Sequence, residues 1–161
     1  EGIFYESILF LKSNSLPSVI IVENNEWSLG TKISERRAPI DLKKLASALD
    51  IEYFFLKNND PFEYVSKINN YKSNALLNKS PVLIEVKLTT FGFWYLINKD
   101  FPDGKFINYH AGPAPELNLE SYPVINSDSD DPLHVLLNYD SITNLTKISN
   151  ELSQKLLDEI S

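Results

Sequence analysis

Apolar residues along this chain alternate between two periods. Ile3-Phe4-Tyr5-Glu6-Ser7-Ile8-Leu9-Phe10-Leu11-Lys12 carries apolar positions at helical spacing with few breakers, which predicts a buried helix over residues 3–13. Asn14-Ser15-Leu16-Pro17 ends it, because proline disfavours helical backbone at the residue before it. Ser18–Glu23 is apolar and β-branched in an unbroken run, as expected of a central strand covered on both faces. Residues 41–49 predict a short helix with Asp41 as N-cap, and Ile51–Leu56 a second strand. Asp60-Pro61 opens a longer helix, by a capping carboxylate followed by a helix-starting proline, running to about Asn78. Pro81 precedes a third strand, Val82–Leu88.

Strand, helix, strand, helix, strand is the grammar of a largely parallel sheet flanked by helices, so the fold class is α/β. The pattern then breaks. Residues 89 to about 131 are rich in Gly, Pro, Asn, Asp and aromatics with no sustained period, and connections of that length usually serve function or lack order. A final helix starts near Thr143, with Leu145, Ile148, Leu152, Leu156 and Ile160 in one apolar stripe.

Composition narrows the field. At 161 residues and 43% hydrophobic, the chain is long enough for one domain with a real core. A net charge of −7 and a pI near 4.8 exclude an extended nucleic-acid surface, which needs clustered Lys and Arg. No apolar run approaches a transmembrane helix, and no basic amphipathic stretch or signal-peptide pattern is present. Absence of cysteine excludes disulfides and thiolate metal sites and fits a cytoplasmic location. With no methionine and an abrupt Glu1-Gly2 start, the chain reads as part of a larger protein.

Candidate chemistry begins at Asn24-Asn25, just past the first strand, where open α/β sheets bind ligands. Amide oxygens there suit a hard cation such as Mg²⁺. Taken alone, the pair reads first as an ordinary strand-ending turn, since asparagine favours turns. Lys32-Ile33-Ser34-Glu35-Arg36-Arg37 is a basic loop that either attracts an anion or forms a solvated surface. His134 is expected on a helix surface without a ligand role. Asp128, Asp130 and Asp131 fit no calcium loop and read as a polar turn with Asp131 as N-cap.

Glu1-Gly2-Ile3-Phe4-Tyr5-Glu6-Ser7, followed by Leu16-Pro17-Ser18 and Val22-Glu23-Asn24-Asn25-Glu26-Trp27-Ser28, resembles the alpha-type subunit of thiamine-diphosphate-dependent 2-oxo acid dehydrogenases of the pyruvate, branched-chain and acetoin type. Ser34-Glu35-Arg36, Pro81-Val82-Leu83-Ile84-Glu85, Asp131-Pro132-Leu133 and Ile142-Thr143 keep the family's order. The resemblance implies a thiamine-diphosphate-binding fold, incomplete at the N-terminus, in one partial domain over 1–161. Within it, 1–88 is the βα core, 89–131 a long loop region and 132–161 the C-terminal helices.

The family motif, Gly-Asp-Gly followed further on by Asn-Asn, implies that Asn25 binds the metal through its side-chain oxygen and Trp27 through its backbone carbonyl. Asn24 would shape the turn, and Gly2 would permit tight entry into the first helix beside the diphosphate. His110, in Tyr109-His110-Ala111-Gly112-Pro113, resembles the family's loop histidine near the cofactor phosphate and is the candidate catalytic residue. Thr89-Thr90-Phe91-Gly92-Phe93-Trp94 replaces the usual arginine-containing stretch, and an extra segment of roughly 95–108 precedes the histidine.

The family further implies a beta-type subunit or domain supplying the activating glutamate, an oligomeric assembly, a 2-oxo acid substrate and a lipoyl-bearing acyltransferase as acceptor. A transketolase- or decarboxylase-like enzyme and a non-catalytic interaction domain are the alternatives.

Overall fold

The computed structural model describes residues 2–28, 30–88, 93–108 and 131–160. Helix α1 spans Gly2–Ser13, and strand β1 spans Val19–Asn24. A small hairpin follows, β2 (Trp27–Ser28) pairing antiparallel with β3 (Thr31–Lys32), and then a single helical turn, α2 (Ile33–Arg36). Helix α3 is Leu42–Ala48, strand β4 is Glu52–Leu56, helix α4 is Pro61–Asn78 and strand β5 is Val82–Lys87. A second hairpin pairs β6 (Phe93–Leu96) with β7 (Lys105–Asn108). Helices α5 (Pro132–Leu136) and α6 (Ile142–Ile160) complete the described chain.

The described residues fall into two compact units: Glu1–Lys57 with Phe62–Pro113, and Asn58–Pro61 with Ala114–Ser161. The first unit holds a three-stranded sheet in the order β1-β5-β4, parallel throughout. The route from β1 to β4 passes over the middle position, and α4 brings the chain back to fill it. Travel across the sheet thus reverses direction between the two crossovers. Right-handed crossovers in opposite directions put their helices on opposite faces.

Burial follows that arrangement. On one face, Ile8 of α1 and Ala46 of α3 pack with Ile51 and Leu83, and Ile20, Val22, Leu42 and Tyr53 close around them. On the other, Leu56, Ile84 and Val86 pack with Tyr64, Ile68 and Tyr71 of α4. The Phe54 ring stacks on Tyr71 at 3.6 Å between centroids, at 11°. Lys12 at the end of α1 reaches the turn before β4, 3.5 Å from the Asp50 carboxylate.

The predicted strands and helices lie close to their observed bounds, and an α/β fold with a parallel sheet is what forms. Asp41 caps α3 by accepting the Lys44 N–H at 3.0 Å. Three expectations are corrected. Strand β1 is not central: among the described residues it is a sheet edge, with Ile21 47% exposed, and β5 holds the middle. An unbroken apolar run cannot say which neighbours a strand will find, and among the described residues only β5 has a paired strand on each side. Helix α1 buries Ile8 alone, leaving Ile3, Leu9 and Phe10 exposed, because only one of its stripes meets the sheet. Residues 93–108 are not irregular but a β-hairpin.

In the second unit, Asp131 caps α5 through an Oδ1 that accepts the Leu133 N–H at 2.8 Å, as expected. Asp131 and Val135 are buried, and His134 is half-buried. The Tyr139 hydroxyl donates to Asp60 Oδ2 at 2.5 Å. On α6 the expected stripe is helical in spacing, yet Ile148, Leu152 and Leu156 are exposed.

Candidate functional site

Because the three strands run parallel, their C-terminal ends share one edge of the sheet, and β1 delivers Asn24 there. The chain then turns sharply. Asn24 Oδ1 accepts the Glu26 N–H at 3.0 Å, and Asn25 Oδ1 accepts the Trp27 N–H at 3.0 Å. Two overlapping asparagine turns result, each a side-chain oxygen standing in for a backbone carbonyl. The residue in left-handed backbone is Glu26 (φ 62°), not either asparagine. Its carbonyl accepts the Ile33 N–H at 2.9 Å, which ties this turn to α2.

The turn forms one wall of a cavity of about 500 Å³. Asn24, Asn25, Glu26 and Trp27 line it, together with Phe4 and Tyr5 of α1 and Lys32, Ile33, Ser34 and Arg37 around α2. Pro39, Ile40 and Leu42 add an apolar side. Lys32, the register partner of Trp27, holds its ammonium 5.9 Å from the indole centroid. Arg36 donates to the Ser28 hydroxyl, and Arg37 to the Ala38 carbonyl at 3.0 Å. The basic stretch is therefore a helical turn with partners, and part of it faces the cavity.

Glu35 organises that turn. Its Oε2 accepts the Lys32 N–H at 2.7 Å, and its Oε1 meets Lys105 Nζ of β7 at 2.8 Å. The Lys105 hydrogen bond first, and the Lys32 N–H second, hold the Glu35 carboxyl below the usual glutamate value.

Beneath the turn lies a polar cluster whose members stand far apart in sequence. Glu85 on the middle strand accepts the Asn24 amide at 2.8 Å and the Tyr53 hydroxyl at 2.6 Å. Burial first, and the Glu85 hydrogen bond next, raise the Tyr53 phenol well above the ordinary tyrosine value, so it stays a donor.

Of the expected site residues, the structure brings Asn24, Asn25 and Trp27 to one cavity wall. Gly2 opens α1 but does not line the cavity, and an added Cβ would meet nothing within 4 Å. His110, with Asp128 and Asp130, lies outside the described residues. Sequence reasoning missed Phe4 and Tyr5 as cavity residues, though adjacent aromatics in the helix before the strand were a visible signal. Among the described residues, no group of three or more His, Cys, Asp or Glu side chains is arranged to hold a metal, and no helix is long and apolar enough to cross a membrane.

The family model for the dehydrogenase E1 component matches residues 1–91. The pyruvate dehydrogenase E1 component subunit alpha of Rickettsia typhi is 33% identical over 87 residues, 54% of this chain and 27% of that protein. Its namesake in Rickettsia prowazekii is 32% identical over the same length. That of Bacillus subtilis is 25% identical over 92 residues, 57% of this chain and 25% of that protein. These alignments span about a quarter of each relative, and the family-model match over residues 1–91 holds the whole parallel sheet and the Asn24–Trp27 turn. With more than half of its residues matched by the family model, the chain belongs to the dehydrogenase E1 component family, and its relatives there are alpha-type subunits.

Proposed function

We propose that this chain is the thiamine-diphosphate- and Mg²⁺-binding part of an alpha-type 2-oxo acid dehydrogenase subunit. One observation carries the reading: Asn25 and Trp27 share the wall of a single cavity at the C-terminal edge of a parallel sheet. The donor set fits the group. Neutral amide and carbonyl oxygens suit Mg²⁺, which commonly takes part of its shell from phosphate. Asn25 Oδ1 accepts one hydrogen bond from Trp27 N–H, and an amide oxygen has a second lone pair for a cation. Lys32 and Arg37 at the same cavity offset the charge of a diphosphate, and the Pro39, Ile40 and Leu42 side accommodates an apolar ring.

Asn25 and the Trp27 carbonyl would hold the metal and Asn24 the turn, while Gly2, outside the cavity lining, would start the helix that brings Phe4 and Tyr5 to it. His110 would reach the cofactor phosphate. When bound, thiamine diphosphate supplies the carbanion stabilisation that decarboxylation of a 2-oxo acid requires. This chain's own residues anchor and orient, and the Glu85 carboxylate is spent on Asn24 and Tyr53. Activation of the cofactor would fall to a glutamate of a beta-type subunit or domain, in a cytoplasmic oligomer that passes the acyl unit to a lipoyl-bearing acyltransferase.

A non-catalytic interaction domain is the second reading. It draws on the fact that both asparagine oxygens already accept backbone N–H groups, as they would in a purely structural turn. Calorimetry on the full-length protein with its beta-type partner separates the two. Thiamine diphosphate should bind saturably with Mg²⁺ and not with excess chelator, and Asn25→Ala should weaken that binding at least about tenfold. Absence of metal-dependent binding by the unaltered protein would overturn the enzyme reading.

A further inference from the structure

The parallel register puts three polar side chains on one sheet face. Val22 and Phe55 are the register partners of Glu85, and side chains two residues apart on a strand share a face. Asn24, two beyond Val22, and Tyr53, two before Phe55, therefore flank Glu85 on either side. Both bond it, the Asn24 amide to Oε1 and the Tyr53 hydroxyl to Oε2. The Asn24 amide meets Glu85 Oε1 through its NH₂, so Glu85 selects one orientation of that amide, with NH₂ inward and Oδ1 outward. The outward oxygen is the one that takes the Glu26 N–H and holds Glu26 in left-handed backbone. Asn25 and Trp27 stand on that turn.

We infer that Glu85 and Tyr53 are positioning residues that fix the Asn24 amide, and through it the Asn25–Trp27 turn, in the geometry that receives the metal. The inference rests on the proposed Mg²⁺-diphosphate site. It assigns Asn24 a role opposite to that of a ligand: Asn24 orients the turn, and its oxygen belongs to Glu26. Glu85 acts through hydrogen bonds, and its acceptor capacity matters more than a carboxylate aimed at substrate.

Exchanging donor and acceptor tests this. Asn24→Asp supplies an extra anionic oxygen, which tightens Mg²⁺ if residue 24 is a ligand. If residue 24 is the orienting group, the new carboxylate instead faces Glu85 and loses its donor. Adding Glu85→Gln to Asn24→Asp restores a donor and an acceptor in reversed order, with the same total charge as the original pair.

Mg²⁺ affinity at saturating thiamine diphosphate would be measured by calorimetry on the full-length protein with its partner. Hydrogen exchange at the Glu26 and Trp27 amides of the cofactor-free protein would be read in parallel. Asn24→Asp should weaken Mg²⁺ by about 10- to 100-fold and speed that exchange. The double variant should recover most of both losses. Tyr53→Phe, which keeps the ring, should weaken Mg²⁺ by about two- to tenfold. Tighter or unchanged Mg²⁺ binding in Asn24→Asp, or no recovery in the double variant, would overturn the inference. If the unaltered protein binds no cofactor, the functional reading fails, and the exchange data still decide whether Glu85 holds the turn.

Discussion

Lys105 Nζ lies 2.8 Å from Glu35 Oε1, so the second strand of the 93–108 hairpin is tied to the helical turn that walls the cavity. Glu35 simultaneously accepts the Lys32 N–H, and Lys105 sits 5.2 Å from the Phe101 ring centroid. Hairpin, α2 and the register partner of Trp27 thus meet at one carboxylate.

That junction predicts an acid-sensitive hairpin. A carboxyl held below its ordinary value contributes stability that is present above the unfolded-state pKa, near 4.5, and is lost as pH falls through the lower folded value. Hydrogen exchange in the 97–104 loop should be slow and pH-independent, after correction for intrinsic rates, at neutral pH, and should accelerate below about pH 4. Lys105→Ala should bring the fast exchange to neutral pH, and Lys105→Arg should largely prevent it. Equal protection in Lys105→Ala and the unaltered protein would show that the hairpin is held by other contacts.

The middle strand should dominate stability. Leu83 and Ile84 are fully buried on opposite faces of β5, so each contacts a different helical layer. Leu83→Ala and Ile84→Ala should each cost about 2–5 kcal/mol in urea unfolding. Leu152→Ala on α6, at 55% exposure in the described chain, should change stability by no more than about 0.5 kcal/mol. A large loss at Leu152 would mean that its stripe is covered in the full-length protein.

How much of this was legible beforehand depended on the range of the signal. Local signals carried far: Asp41 and Asp131 as caps, Asp60-Pro61 as a helix start, and Ser18–Glu23 as a strand all follow from near neighbours in sequence. The 93–108 hairpin was overlooked although a signal existed. Pro102-Asp103-Gly104 separates two runs of aromatic and β-branched residues, and Gly104 adopts the left-handed backbone (φ 87°) that such a turn requires. The Asn24–Glu85–Tyr53 cluster had no local signal. It arises from register across two strand pairs joined by long crossovers, and nothing near Glu85 in sequence announces that Asn24 will lie beside it. For the same reason β1 was misplaced as central, since strand order is a property of the crossovers and not of the run itself.

The two capping aspartates should separate by burial. Asp131 is 4% exposed, whereas Asp41 is exposed and offers its oxygen to the Lys44 N–H at the surface. Replacing Asp131 by alanine should cost about 1 kcal/mol and Asp41 by alanine less, and replacing either by asparagine should cost less than replacing it by alanine. The Lys44 N–H hydrogen bond holds the Asp41 carboxyl below its usual value, so the Asp41→Ala deficit should be present at pH 7 and vanish as pH falls through that lowered value. Thermal unfolding of Asp41→Ala and the unaltered protein at pH 7 and in steps below pH 3.8 measures it, and a deficit that does not shrink on acidification would exclude the carboxylate as its source.

Tyr53 supplies the opposite pH signature. Its phenol is raised above the ordinary value near 10, because burial and the Glu85 carboxylate both oppose ionisation. The unfolded chain therefore ionises this residue first as pH rises. Stability linked to Tyr53 is fully present below about pH 10 and declines above it, where the unfolded state releases a proton that the folded state retains. Tyr53→Phe should be the less stable protein at neutral pH, because Glu85 loses one of its two donors. Between pH 9 and pH 11 its urea midpoint should fall less steeply than that of the unaltered protein, so the two curves converge. Parallel curves would mean that the phenol ionises alike in folded and unfolded chains, and that the Tyr53–Glu85 bond does not persist in solution.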